Sequence, residues 1–417
     1  MRFHVVGLGS IGTLLAFHLR RGLDPKHVIH LVHKTNGLAE TARLEGGHIG
    51  VEYNGVYLSE TGFKHEGFEP ASRIYRDTVR QGRAIRSAKA SGEEKLGIAQ
   101  MPEILQSTQI ESLFVTTKAH AVYHVIEGLL PRLSPRCTIV LGVNGMGVYE
   151  GLVSTFFRNP ETRPHFILMS NTHGAWLKRP GRAIHSGLGT MQFGIVPDPR
   201  GRDFEASMHS GGLLSLPHSR RCNLNDIALP NNDPHGTEYV SLRNTITAFL
   251  SMKDLHTEWL PMSELQLAMR RKLVANAVIN PLTALMNCRN GELFRTEESI
   301  RILRRVCKEA ERVFSVDIRS QPRGFETPED PAPQGDPVPP SLQSAGLIRN
   351  CLNVAKQTAH NFSSMLLDIQ HGRQTEIDYI NGYLVKLGSH HRVKMGTTSM
   401  LASLIKMRGT VPSRPLL

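Results

Sequence analysis

Cysteine is scarce in this chain of 417 residues: there are five, at Cys137, Cys222, Cys288, Cys307 and Cys351, and none stands in Cys-x-x-Cys spacing. An odd, widely scattered set argues against a disulfide framework and for a reducing compartment. Nothing in the pattern suggests a metal site. Long apolar runs are also missing. None reaches the roughly 18 residues that a bilayer span needs, so no membrane partner is expected. Acidic residues are in deficit: 37 Asp and Glu stand against 49 Lys and Arg, a formal net charge of +12. A basic balance favours anionic partners, which include phosphorylated cofactors, carboxylates and nucleic acid. Aromatics amount to 6% of the chain. The arginine-rich stretch that holds Arg73, Arg76, Arg80, Arg83 and Arg86 carries a single aromatic, Tyr75, rather than the series of interleaved aromatics on which successive bases stack, which disfavours nucleic acid.

What is present begins at once. Met1-Arg2-Phe3-His4-Val5-Val6-Gly7 reads as a buried strand running into a glycine turn. It leaves no room for a presequence, so a cytoplasmic location is expected. The alternative is a mitochondrial location, reached by an internal import signal.

The length exceeds what one core serves, which predicts two domains with insertions. Phe3 to Val6 and Val28 to Val32 read as strands, with a helix from Thr13 to Arg21 between them. Leu113 to Lys118 and Thr138 to Leu141 read as further strands, with a helix from His120 to Leu130 between them. Alternation of this kind predicts an α/β, Rossmann-like domain with a parallel, doubly wound sheet. The first domain is placed at residues 1–262, with inserted surface segments at Lys64–Gln100 and at Pro197–Gly236, the second partly disordered by its composition. Residues 263–417 read as an all-α domain, interrupted by a Pro-rich insertion at Gln321–Pro340.

Gly7-Leu8-Gly9-Ser10-Ile11-Gly12 has a physical reading as a dinucleotide turn. The first glycine permits the tight turn, the second lets backbone approach a pyrophosphate, and the third lets helix and strand pack closely. The end of the second strand selects the nucleotide. An NAD site usually carries an acid there to hold the ribose 2′-hydroxyl. This strand ends in Val32-His33-Lys34-Thr35-Asn36, without an acid, and His33 and Lys34 can pair with a 2′-phosphate. NADP, as NADPH, is therefore the expected cofactor.

Lys272, Asn276 and Asn280 stand four apart in an otherwise apolar helical stretch. Each step of four advances about 40°, so all three share a sector of about 80°. Asparagine is costly to bury and poor in helix interiors. Two of them in line with a lysine suggest a polar wall facing a ligand. A lysine so placed can protonate a carbonyl oxygen as hydride reaches the carbon, with desolvation drawing its pKa toward the working range. Near the C-terminus, Gly372 can stop a helix, and Thr375 with Asp378 resembles a cap. A helix starting there puts Glu376 in its first turn. On spacing alone Glu376 is no more than a helix-start residue.

Together these motifs resemble the ketopantoate reductases (2-dehydropantoate 2-reductases). The resemblance rests on the glycine turn, Thr117-Lys118-Ala119, Asn144-Gly145-Met146-Gly147, the Lys272–Ala284 stretch, Asn287-Cys288-x-Asn290-Gly291-Glu292-Leu293, Ser363-Ser364-Met365-Leu366 and Thr375-Glu376-Ile377-Asp378-Tyr379-Ile380-Asn381-Gly382. It covers nearly all of the chain outside the three insertions. It implies a Rossmann domain with a helical domain of the 6-phosphogluconate-dehydrogenase-like type, and a site in the cleft between them. It implies Lys272 as the general acid, with Asn276, Asn280, Asn290 and Ser364 at substrate-binding positions. Asn144 matches a position near both nicotinamide and substrate. Lys118, Ala175 and Glu376 match cofactor-contacting positions. The implied reaction is NADPH-dependent reduction of ketopantoate, a small-molecule 2-keto acid, to (R)-pantoate in pantothenate and coenzyme A biosynthesis. Where the family often has arginine for the 2′-phosphate, this chain offers His33-Lys34. Two alternatives remain: a reductase of another 2-keto acid, and a non-catalytic homologue that binds RNA or protein through its basic surface. A homodimer is compatible with the sequence, which carries no signal of oligomeric state.

Overall fold

The structure, a computed structural model, describes residues 1–68, 109–209, 222–228, 236–320 and 338–411. The described chain divides into two compact units: Met1–Val143 with Tyr149–Leu265, and Asn144–Val148 with Gln266–Leu417.

The first unit is built on an eight-stranded sheet. Its strands are β1 (Arg2–Val6), β2 (Val28–His33), β5 (Phe63–Gly67), β6 (Ser112–Val115), β7 (Thr138–Leu141), β8 (His165–Asn171), β11 (Met191–Ile195) and β12 (Thr257–Trp259). Their order is β12-β11-β8-β7-β6-β1-β2-β5. All neighbours pair in parallel except β8 and β11. β6 and β7 are buried along their whole length, as expected of strands covered on both faces. The chain leaves β1 toward β2 on one side and later returns to β6 on the other. β1 and β6 therefore flank a topological switch point, where open α/β sheets bind ligands beyond the carboxyl ends of the strands.

α1 (Ser10–Gly22) and α2 (Asn36–Leu44) follow the first two strands. α3 (Val122–Leu129) and α4 (Val148–Thr155) follow β6 and β7. A smaller sheet, ordered β4-β3-β10-β9, packs on α1. It consists of β3 (Ile49–Tyr53), β4 (Val56–Glu60), β9 (Gly174–Arg179) and β10 (Arg182–Gly187). The short helices α5 (Ala206–His209) and α6 (Leu224–Ile227) precede α7 (Gly236–Ser251).

The second unit takes most of α8 (Met262–Met286), then α9 (Glu297–Ser320), α10 (Ser344–Gln357), α11 (Ser364–Gln370), α12 (Asn381–His390) and α13 (Gly396–Thr410). On α9 the buried residues Leu303, Val306, Cys307, Ala310, Val313 and Phe314 recur at helical spacing and form one core-facing stripe.

Three expectations change in detail. Lys64 to Gly67 belong to β5, the edge strand beside β2, so the first insertion starts later than its composition suggests. Residues 69–100 of that segment lie outside the described residues. The described parts of Pro197–Gly236 are packed rather than loose. Asp198 is buried and accepts hydrogen bonds from Tyr239 Oη (2.6 Å) and Arg200 Nε (3.0 Å), and Phe204 and Ile227 join the core. Residues 210–221, 229–235 and 321–337 lie outside the described residues. Finally, no helix starts at Thr375. The segment to Ile380 is a run of turns, and α12 begins at Asn381. Ile380, at φ −102° and ψ −89°, is not helical, so the cap-like spacing of Thr375 and Asp378 does not propagate.

Candidate active site

At the carboxyl end of β1, Gly7 adopts φ +95°, a region that favours glycine. A Cβ there would lie 2.4 Å from the Thr117 backbone nitrogen, and one at Gly12 would lie 2.2 Å from Gly7 O. Those two glycines are thus required by the packing of β1, α1 and the end of β6. Thr116 secures the turn, its Oγ1 lying 3.1 Å from Val6 O and 3.0 Å from Gly7 O. Gly9 differs. A Cβ at Gly9 would meet nothing within 4 Å, and its φ of −78° suits any residue. Gly9 caps α1 without a side-chain hydrogen bond, so the helix's first N–H groups have no such cap. Beside the turn, Thr117 Oγ1 is buried without a partner among the described residues. An open face at Gly9, a bare helix start and an orphaned hydroxyl fit an anionic dinucleotide phosphate.

The other expected cofactor residues of this unit lie at neighbouring strand ends. Lys118 follows β6 and starts a short 3-10 turn. His33 ends β2, and Lys34 beyond it is exposed. His33 is committed to another partner: its Nε2 lies 2.9 Å from His65 Nδ1. Burial, with His65 and Arg43 nearby, lowers its pKa to about 4, so the ring is neutral near pH 7. Ala175 lies on β9 of the smaller sheet, half-buried against the core that also holds Leu8.

Among the described residues one group has donors of metal-ligand type within 4.8 Å of one another: His4, His30 and Glu66. Arg132 takes the place a cation would. Its two terminal nitrogens lie 2.9 Å from Glu66 Oε1 and 3.1 Å from His4 Nε2. Burial opposes the charge on Glu66, yet His30 and Arg132 hold its pKa down at about 2.

The second unit gathers a different set. Lys272 lies on α8, and its Nζ donates to Asn144 Oδ1 at 3.2 Å. Asn144 Nδ2 in turn donates to Glu376 Oε2 at 3.2 Å. One amide therefore bridges an ammonium and a buried carboxylate. Burial lowers the Lys272 pKa from 10.5 to about 8, and Glu376 acts in the opposite direction. Asn276 and Asn280 share the helix; the first is half-buried, the second buried. Asn290 is buried as well. Its Nδ2 donates to Thr358 Oγ1 at 2.9 Å, while its Oδ1 has no partner among the described residues. Ser364 is the exposed first residue of α11. Its neighbour Ser363 caps that helix and lies 2.8 Å from Thr283 Oγ1, which ties α11 to α8.

Sequence reasoning missed the Asn144–Glu376 link, the locking role of Thr116, and Tyr379. Tyr379 O accepts from Met146 N at 3.0 Å, and a Cβ on Gly145 would come within 2.3 Å of it. The glycine in Asn144-Gly145-Met146-Gly147 was the available signal for that close approach.

A mostly parallel sheet with an open glycine turn at its switch point, and a helix presenting a desolvated lysine among amides, are the features of an oxidoreductase that binds a nicotinamide dinucleotide. Residues 3–198 match the family described as "Ketopantoate reductase PanE/ApbA", and residues 264–409 match its C-terminal counterpart. The chain belongs to this family. It is 30% identical over 301 residues to a 2-dehydropantoate 2-reductase of Yersinia pestis, covering 72% of this chain and 75% of that one. It is 24% identical over 390 residues to the 2-dehydropantoate 2-reductase of Saccharomyces cerevisiae, covering 93% and 88%. The fold is shared with a 2-dehydropantoate 2-reductase from Methylococcus capsulatus, at TM-score 0.61 and 17% identity over 99% of both chains. It is also shared with a D-mandelate dehydrogenase in complex with NADH and anilino(oxo)acetate, at TM-score 0.63 and 14% identity over 98% of both chains. No helix among the described residues is long and apolar enough to cross a membrane.

Proposed function

We propose that this protein catalyses the NADPH-dependent reduction of ketopantoate to (R)-pantoate, with Lys272 as the proton donor. The observation that carries the reading is the Lys272–Asn144–Glu376 chain, in which burial lowers the lysine pKa to about 8. A nicotinamide, when bound, would supply the hydride. Lys272 delivers a proton from Nζ to the keto oxygen as charge develops there. Asn144 aims Nζ through its Oδ1, and Glu376 favours the ammonium, the form that donates. Asn276, Asn280 and Ser364 hold the substrate's carboxylate and hydroxyl without adding charge. The unpartnered Oδ1 of Asn290 is an acceptor, which suits a substrate hydroxyl. Gly7 to Gly12 and Lys118 hold the cofactor's phosphates, with Ala175 and Glu376 as further contacts.

The absence of an acid after β2 supports NADPH over NADH. Because His33 is neutral and bonded to His65, discrimination falls on Lys34. Lys34→Ala is expected to raise the KM for NADPH about tenfold, near the lower end for a charged hydrogen bond, and to leave NADH kinetics unchanged. Equal changes for both nucleotides would remove Lys34 from phosphate recognition.

The reading as a whole is tested by following NADPH oxidation by the purified full chain with ketopantoate, alongside two or three other branched 2-keto acids. Ketopantoate should give the highest kcat/KM. A folded, NADPH-binding protein that turns over none of them sinks the reductase assignment; a clear preference for another acid sinks only the substrate.

A further inference from the structure

Pro281 lies inside α8, one residue after Asn280. Proline has no N–H, and its ring crowds the carbonyl four residues back. For Pro281 that carbonyl belongs to Ala277, which sits between Asn276 and Asn280. A buried carbonyl without a donor costs about as much as a lost hydrogen bond. Here the donor comes from elsewhere in the chain: Asn381 Nδ2 donates to Ala277 O at 3.0 Å. Asn381 is fully buried, and its own Oδ1 has no partner among the described residues. The side chain thus supplies one donor while stranding one acceptor, a poor exchange for packing alone.

Its place in the chain matters as much as its bond. Asn381 opens α12 and ends the run of turns that starts near Glu376. In that run Glu376 accepts from Asn144, and Tyr379 O accepts from Met146. One short segment therefore grips the Asn144–Met146 loop at one end and the proline-broken turn of α8 at the other. Lys272, on α8, is hydrogen-bonded to that same loop.

We propose that Asn381 is a positioning residue, which replaces the hydrogen bond Pro281 removes from α8 and so holds the Lys272–Asn280 face in register with Asn144 and Glu376. It acts through Ala277. The kinetic part of the test rests on the reductase reading above; the rest does not.

The test is a double-mutant cycle in the full chain with Asn381→Ala and Pro281→Ala, because alanine at 281 returns an N–H to Ala277 O. Asn381→Ala is expected to lower kcat/KM for the keto acid roughly 10–100-fold, the scale of a coupled pair, with cofactor affinity within about twofold. The pH midpoint of the reaction should move up from about 8 toward the ordinary lysine range. In the Pro281→Ala background the same substitution should cost less than about threefold. Additive losses would overturn the proposal. So would a lowered Tm with kcat/KM and the pH midpoint unchanged, which would reduce Asn381 to packing. If Asn381→Ala does not fold, the double variant becomes the readout: it folds and turns over if the proposal is right, and fails likewise if it is wrong. If the wild type reduces no keto acid, the reductase reading fails by itself. The pH dependence of Lys272 acylation, compared across the cycle, then still decides the positioning role.

Discussion

Lys272→Ala is expected to lower turnover by roughly 10²–10⁴-fold, the usual contribution of a positioned general acid. Cofactor affinity should change little, because the glycine turn belongs to the other unit. Lys272→Arg should be nearly as poor as alanine. Guanidinium keeps the charge but does not release a proton at accessible pH, so it separates proton donation from electrostatic attraction. The pH profile follows from the same group. Burial lowers the Lys272 pKa to about 8, and the proton donor is the ammonium form. Keto acid reduction should therefore be fully active below that value and decline as pH rises through it. The reverse oxidation needs the neutral amine and should rise over the same interval. Stopped-flow or steady-state rates in both directions between pH 6 and about 10 check this. Parallel pH dependence in the two directions would show that another group carries the proton.

Gly9→Ala carries the second large effect, and its value lies in contrast with the glycines on either side. At Gly7 and Gly12 an added methyl meets backbone at 2.4 Å and 2.2 Å, so alanine there damages the fold. At Gly9 an added methyl meets no protein atom within 4 Å. The apoprotein should melt at the wild-type temperature. If pyrophosphate lies over that open face, overpacking of about 1–3 kcal/mol appears only on binding, which raises the NADPH Kd about 5–150-fold. Titration by protein fluorescence or calorimetry measures it. Wild-type affinity in this variant would place the phosphates elsewhere.

The sequence was most legible where structure is local. β6 and β7 each carry an unbroken apolar triplet, β1 is buried from Phe3 to Val6, and the glycine turn after β1 is set by neighbours in sequence. The Lys272–Asn276–Asn280 face follows from helical spacing alone. The partners of that face were not legible by spacing. Asn144 and Glu376 are 232 residues apart and meet only through tertiary packing, and the resemblance rather than the periodicity singled them out. The smaller sheet was missed altogether, because β4 is exposed along most of its length and carries no buried face to mark it. The turn at Thr375 to Ile380 was misread as a helix start for a related reason. Cap-like residues favour a helix locally, but in the fold this segment gives the Glu376 carboxylate and the Tyr379 carbonyl to the Asn144 loop.

Five residues, Asn144–Val148, leave the N-terminal half of the chain and are counted with the helical unit. The helical half is consequently not a portable module. A fragment cut anywhere between the two matched halves keeps Lys272 and Glu376 but loses the amide that joins them. Recombining this half with another Rossmann domain would succeed only if the donor brought its own asparagine after the equivalent of β7.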